Sequence, residues 1–193
     1  TDLADVEAVN EIYPAVFPGY LPARNVVAVT GLPLGASVQV EAVISHGDGT
    51  PPQLPEDAAK LVIEPNDTDA APKSQYSTQT IAFSHYNHIT GQLPIDPATG
   101  ALVAGGVAEQ TAQCLKNIKA IVESVDHVLA DTVKVNICLK NIDDIAALDE
   151  VYTTFFPGGV PARRIIGVPA LPEGVLVQID AVLGNAEGTP PAA

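Results

Sequence analysis

The amino-acid sequence predicts an α+β fold in which two helices pack against one β-sheet. Apolar residues recur at helical spacing across residues 106–124 and again across residues 143–155. Apolar and polar side chains alternate across residues 133–139, which predicts a strand. Two runs rich in β-branched residues, 160–168 and 175–182, predict two further strands that we expect to pair as a hairpin.

Three strands are expected before the first of these helices. Residues 61–63 are predicted as a short edge strand, and residues 77–83 and 85–90 as the two arms of a hairpin. The resulting order, β-β-β-α-β-α-β-β, places both helices against one sheet.

Composition bounds the functions that the chain can have. Hydrophobic residues make up 47% of the 193 residues, which is enough for a packed core, and the net charge is −14. A chain this acidic, without a local cluster of Lys or Arg, is not expected to bind nucleic acid. No apolar run has membrane-spanning length and no signal peptide is evident, so we expect no membrane partner and a cytoplasmic location, with the mitochondrion as the alternative.

Candidate metal ligands and thiols are few. Cys114 and Cys138 are predicted to be free buried thiols, because one falls in a helix and the other in a strand. His85 and His88 face opposite sides of an extended strand, and no third ligand lies near them in the sequence. We therefore expect no metal.

A stretch near the carboxyl end recurs near the amino end. Arg163 of Pro-Ala-Arg has a counterpart in Arg24 of an identical tripeptide, at an offset of 163 − 24 = 139. We interpret residues 1–46 as the C-terminal half of a first repeat, a helix plus two strands. Residues 47–59 are then a Gly, Pro and acidic linker, residues 60–186 a complete unit and residues 187–193 a tail. The same offset aligns Tyr13 with Tyr152, and Gln39 with Gln178.

An arginine at the start of a strand has two interpretations. Its planar fork of donors can hold a carboxylate bidentately, but such arginines more often form surface or subunit salt bridges.

The half repeat of residues 1–46 lacks the other strands and the helix that would cover its own helix and strands. We expect another chain or fragment to complete it.

Several motifs together resemble the Rid/YjgF family of reactive-intermediate imine deaminases. They are Gln75-Tyr76-Ser77, the Thr-Gly-Gln-Leu-Pro of residues 90–94, Pro161-Ala162-Arg163 and the Val-Gln-Ile-Asp-Ala of residues 177–181. The resemblance implies a chorismate-mutase-like fold and a homo-oligomer, usually a barrel-forming trimer, with ligand clefts between subunits.

The resemblance also implies roles for individual residues. Arg163 would grip a substrate carboxylate, and Tyr76, Thr90 and Gly91 would line the neighbouring wall. Gln178 and the backbone carbonyl of Ile165 would place the attacking water. The implied substrates are small 2-enamino and 2-imino acids, hydrolysed to 2-keto acids and ammonia without a metal or cofactor.

One departure from the family pattern bears on catalysis. The water-placing position is a glutamate in active members, but it is Gln178 here and Gln39 in the half repeat. Glutamine can orient a water but cannot accept its proton, and general-base help is worth about 10²–10⁴-fold. We also expect Arg24 and Gln39 to form a second kind of cleft with Tyr76 and Thr90 of an adjacent unit.

Three functions follow from these observations. The first is hydrolytic deamination of small imino acids, and the second is a non-catalytic or regulatory oligomer that binds small carboxylates, which Gln178 favours. The third, an endoribonuclease, is disfavoured by the net charge.

Overall fold

A computed structural model describes residues 2–17, 19–43, 63–83 and 86–184. From residue 63 onward the strands and helices follow the predicted α+β order. The elements are α1 (Val6–Val16), β1 (Ile63–Asn66), β2 (Thr80–Phe83), β3 (Tyr86–Gln92), α2 (Val107–Glu123), β4 (Thr132–Leu139), α3 (Ile145–Phe155), β5 (Ala162–Gly167) and β6 (Val177–Gly184).

The six strands form one sheet in the order β1-β2-β3-β6-β4-β5. All neighbouring pairs are antiparallel except β4 and β5, which are parallel and joined through α3. The predicted hairpin between the last two strands is therefore wrong, because β4 lies between β5 and β6. The connecting loop passes round the end of β4, where Val168 N donates to Leu139 O at 2.8 Å and Lys140 N donates to Leu176 O at 2.9 Å.

Helices α2 and α3 share one core with the sheet. Alternate residues of β4 and β6, such as Ile137 and Ile179, are buried in the core between the helices and the sheet. By the same alternation Gln178 and Asp180 lie on the opposite face of β6, away from the helices. The largest fully buried side chains of the helices are Leu115, Ile118, Ile121, Leu148 and Tyr152.

The N-terminal segment, residues 2–43 as described, contacts the complete unit of the same chain. Its helix is present, but the described residues 19–43 contain no strand, contrary to the two strands predicted there. A strand needs a ladder of partners, and this segment has only isolated backbone contacts with its own chain. Thr78 N donates to Leu21 O at 3.2 Å, and Gly91 N donates to Arg24 O at 3.2 Å. Completion by another chain stays a prediction, and the linker and tail lie outside the described residues.

Both cysteines are free and buried, as predicted. Burial raises the pKa of the Cys114 thiol, and burial together with Asp180 raises the pKa of Cys138 to about 11. Within the described residues, no group of three or more His, Cys, Asp or Glu side chains could hold a metal ion; His85 lies outside them. None of the described helices is long and apolar enough to cross a membrane.

Candidate functional site

A cavity of about 500 Å³ lies between the N-terminal segment and the complete unit. Helix α1, Arg24 and Val26 form one side, and the loop of residues 72–77 with the end of β3 forms the other. Polar residues from both sides line it. These are Glu7, Asn10, Arg24, Lys73, Ser74, Gln75, Tyr76, Ser77, Gln79, Thr90, Gln92 and Gln178.

The buried side chain of Gln79 fixes the loop that leads to Tyr76. Its Nε2 donates to the carbonyl oxygens of Thr68, Ala71 and Pro72 at 3.1, 2.9 and 3.0 Å. Its Oε1 accepts from Thr68 N at 2.6 Å. A side chain that satisfies this many backbone groups holds the cavity wall in one conformation.

Thr90 and Gly91 connect this wall to the N-terminal segment. Thr90 Oγ1 donates to Thr78 O at 2.5 Å and accepts from Arg24 N at 3.0 Å. Asn25 packs directly over Gly91, where a Cβ atom would lie 1.9 Å from Asn25 Oδ1. Only glycine permits so close an approach without displacing Asn25.

Arg24 is the cation that the N-terminal segment brings to the cavity. Its guanidinium carbon lies 4.8 Å from the Tyr13 ring centroid and 5.8 Å from that of Tyr76, and its Nη2 donates to Asn10 Oδ1 at 2.8 Å. Burial lowers the pKa of Arg24, but an arginine stays protonated in proteins. Among the described residues it forms no ion pair with a carboxylate, so its charge is available to an anion.

Gln178 lies in the same cavity on β6 and is 4% exposed. Its Nε2 has no hydrogen-bond partner within the described part of the chain. A buried amide with a free polar atom in a cavity is suited to contact a ligand or a water.

Arg163 does not line this cavity. It lies on the edge strand β5, where its Nη1 donates to Asp149 Oδ1 at 2.5 Å and its guanidinium carbon lies 4.8 Å from the Tyr152 ring centroid. Ile165 is on the same strand and Gln39 is exposed, and neither is among the lining residues.

The structure thus brings together five of the residues singled out from the sequence and leaves three elsewhere. Those three are Arg163, Ile165 and Gln39, so the water-placing backbone group predicted at Ile165 lies outside this cavity. Its counterpart at 165 − 139 = 26 is Val26, which does line the cavity. The five residues brought together are Arg24, Tyr76, Thr90, Gly91 and Gln178.

Sequence reasoning missed two polar residues of α1 that line the cavity. Asn10 corresponds to Asp149 at the offset of 139, so the pairing of Arg163 with Asp149 is mirrored in that of Arg24 with Asn10. That correspondence was the available signal. Glu7 corresponds to Ala146, and nothing in the sequence marked it.

Known proteins match part of this chain. The sequence profile of the family described as Endoribonuclease L-PSP matches residues 67–183. A RutC family protein of Pyrococcus horikoshii is 44% identical over 117 residues, covering 60% of this chain and 92% of that protein. The rat 2-iminobutanoate/2-iminopropanoate deaminase is 36% identical over 105 residues, covering 54% of this chain and 77% of that enzyme.

A solved structure supports the same relationship. The crystal structure of RidA from the Antarctic bacterium Psychrobacter is 36% identical, with a TM-score of 0.60, and the match covers 63% of this chain and 98% of that one. The profile match extends over more than half of the sequence and the fold agrees with it. The chain is therefore a member of the Endoribonuclease L-PSP family, which is the Rid/YjgF family.

Proposed function

We propose that the cavity binds a small 2-imino or 2-enamino acid and hydrolyses it to the 2-keto acid and ammonia. The observation that carries the proposal is the position of Arg24, a cation without a carboxylate partner in the described chain, in one cavity with Tyr76 and Gln178. Relatives named 2-iminobutanoate/2-iminopropanoate deaminase, at 36% identity, support the reaction class.

The chemistry needs an anchor and a placed water. The free donors of the Arg24 guanidinium would hold the substrate carboxylate, which leaves the C=N carbon inside the cavity. The Oε1 of Gln178 would accept a hydrogen bond from a water whose oxygen attacks that carbon. A 2-enamino acid reaches the C=N form by tautomerisation, in which a proton moves from the nitrogen to the neighbouring carbon. One proton of the attacking water goes to the imine nitrogen, which gives a carbinolamine. The carbinolamine's hydroxyl proton then passes to the amino group as the C=O bond forms and the C–N bond breaks, and ammonia leaves.

Gln178 sets the expected rate. The amide of Gln178 cannot accept the proton of the attacking water. That proton must therefore pass to the substrate nitrogen directly or through another water, without the general-base contribution of about 10²–10⁴-fold. We therefore expect hydrolysis above the buffer rate but slow turnover.

The decisive experiment is ammonia release from freshly generated 2-aminoacrylate. Wild type is compared with Arg24→Ala, and Arg163→Ala serves as the matched control because its arginine lies outside the cavity. Acceleration that disappears with Arg24→Ala and persists with Arg163→Ala supports the proposal. The same rate in wild type and buffer, from protein that is folded, would overturn it.

The second candidate is a non-catalytic carboxylate-binding or regulatory protein that uses the same cavity. The observation that favours it is Gln178 at the position where a carboxylate would act as base. Calorimetric binding of pyruvate with no release of ammonia from 2-aminoacrylate would establish it.

Assembly and location complete the proposal. We expect a homo-oligomer, with a trimer as the first arrangement to test by light scattering, and a cytoplasmic location. Strand β5 supports assembly because it is a largely exposed edge strand that carries Arg163. The net charge of −14 continues to argue against RNA as a substrate.

A further inference from the structure

We propose that Asn10 determines how strongly the cavity binds anions, because it holds Arg24 through a neutral amide instead of a carboxylate. The inference rests on the proposed function only in taking a small carboxylate as the ligand. Asn10 is 6% exposed on α1, and its Oδ1 accepts from Arg24 Nη2 at 2.8 Å.

The chain contains its own comparison for this pair. Arg24 over Tyr13 and Arg163 over Tyr152 have the same guanidinium-to-ring distance of 4.8 Å. The residue that holds the guanidinium differs, since 149 − 10 = 139 makes Asp149 the counterpart of Asn10. Arg163 is thus paired with a carboxylate, whereas Arg24 is held in the same way without being neutralised.

The pairing at Arg24 matters because few other charges line the cavity. On α1 the lining carboxylate is Glu7, which forms no ion pair within 4.0 Å among the described residues. From the facing loop Lys73 reaches the cavity, and its Nζ is 2.7 Å from Asp69 Oδ1. Arg24 is therefore the lining cation that no described carboxylate neutralises, and a carboxyl at position 10 would occupy part of its fork and cancel its charge.

A purely structural role for Asn10 predicts a different pattern. If Asn10 only positions the guanidinium, Asn10→Ala should lower the affinity for pyruvate more than Asn10→Asp does, because it removes the hydrogen-bond acceptor. Asn10→Asp keeps an acceptor of the same shape and adds a charge. Under the proposal, Asn10→Asp lowers the affinity for pyruvate more than Asn10→Ala does.

The experiment measures the Kd of pyruvate by calorimetry for the full chain and its variants. We expect Asn10→Asp to weaken pyruvate binding at least tenfold, because it adds a negative charge beside the Arg24 guanidinium at a site that salt screens poorly. Asn10→Ala should weaken binding by no more than about threefold. Methyl pyruvate, which has no carboxylate, should bind both variants alike.

Asp149→Asn is the matched control. It makes the reciprocal change at Arg163, outside the cavity, and should leave the pyruvate Kd unchanged. The local set of Arg163, Tyr152 and Asp149 shows that an aspartate is tolerated beside such an arginine, so Asn10→Asp should fold. The thermal midpoint of each variant checks this.

The outcomes separate this inference from the proposed function. Wild type that binds pyruvate but does not release ammonia removes the proposed function and leaves the Asn10 comparison intact. The inference is overturned if wild type does not bind pyruvate, if Asn10→Asp binds it as well as wild type, or if Asn10→Ala loses as much affinity as Asn10→Asp.

Discussion

The guanidinium carbon of Arg24 lies 5.8 Å from the ring centroid of Tyr76, although 76 − 24 = 52 residues separate them in the chain. This contact, with the hydrogen bond from Gly91 N to Arg24 O, joins the N-terminal segment to the family domain. The candidate site therefore contains residues from both, although the family match begins at residue 67.

We expect Arg24→Ala to weaken pyruvate binding by about 10–100-fold, because it removes a charge-assisted hydrogen-bond donor from a half-buried position. Arg163→Ala should change the affinity by less than about twofold, since Arg163 lies on β5 outside the cavity. Isothermal titration of both variants checks this. The reverse ranking would show that Arg163 provides the anchor, through an assembly of several chains.

Gln178→Glu should raise the turnover of 2-aminoacrylate at least tenfold, because a carboxylate can accept the proton that the amide cannot. The same change should lower the thermal midpoint, since position 178 is 4% exposed and burying a carboxylate costs free energy. Steady-state kinetics and a thermal melt are measured on one preparation. An unchanged turnover in a folded variant would mean that Gln178 does not hold the attacking water.

Much of the fold was predictable because it follows from local periodicity. The 3.6-residue pattern of α2 and the alternation in β4 depend on short stretches of sequence, and both elements lie within a few residues of the prediction. The pairing of β5 was not predictable in the same way. Strands β5 and β6 are consecutive in sequence, which suggests a hairpin. In the structure β4 lies between them and pairs with both, and these pairings join residues that are far apart in the sequence.

The site shows the same limit. Tyr76, Thr90, Gly91 and Gln178 could be identified from motifs within the complete unit. The sequence contains two equivalent Pro-Ala-Arg tripeptides, however, and only the docking of the N-terminal segment brings Arg24 to the cavity. Asn10 was missed because its signal, the correspondence with Asp149 at the offset of 139, has a meaning only once the pairing of Arg163 with Asp149 is known.

Tyr152→Phe should leave the free energy of unfolding within about 0.5 kcal/mol of wild type, or raise it. The hydroxyl of Tyr152 is buried without a hydrogen-bond partner among the described residues, so its removal leaves no group newly unpaired. Tyr152→Ala is the control, and should cost about 3–5 kcal/mol because it empties part of the core. Urea unfolding measures both. A loss above 1 kcal/mol in Tyr152→Phe would contradict the expectation.

The two thiols should be unreactive in the native protein. At pH 8 a thiol with a pKa of about 11, as for Cys138, is ionised to only about one part in a thousand, and Cys114 is fully buried with its pKa raised further. Titration with an aromatic disulfide should give no fast phase in buffer and two equivalents in urea. Cys138→Ala should reduce the urea value to one. A fast native equivalent would mean that one thiol is accessible.

Asp180→Asn should stabilise the protein relative to wild type at neutral pH and lose that advantage as the pH falls. Burial raises the pKa of the Asp180 carboxyl. The hydrogen bond that Asn136 Nδ2 donates to its Oδ2 at 2.8 Å lowers that pKa, as do Asn25 and Arg164, but burial is the larger effect. A carboxyl whose native pKa exceeds its unfolded pKa binds its proton more tightly when folded. Its contribution to stability is therefore present below the unfolded pKa, near 4, and is lost as the pH rises through the native pKa.

The measurement is the free energy of unfolding in urea for wild type and Asp180→Asn between pH 4 and pH 8. The difference between them should move in favour of the variant as the pH rises and then become constant. His88 is a second titratable group coupled to Asp180, because burial lowers the pKa of His88 and the Asp180 carboxylate raises it. Both proteins should therefore also be measured with His88→Asn. A difference that is constant with pH in that background would show that Asp180 has an ordinary pKa in the folded protein.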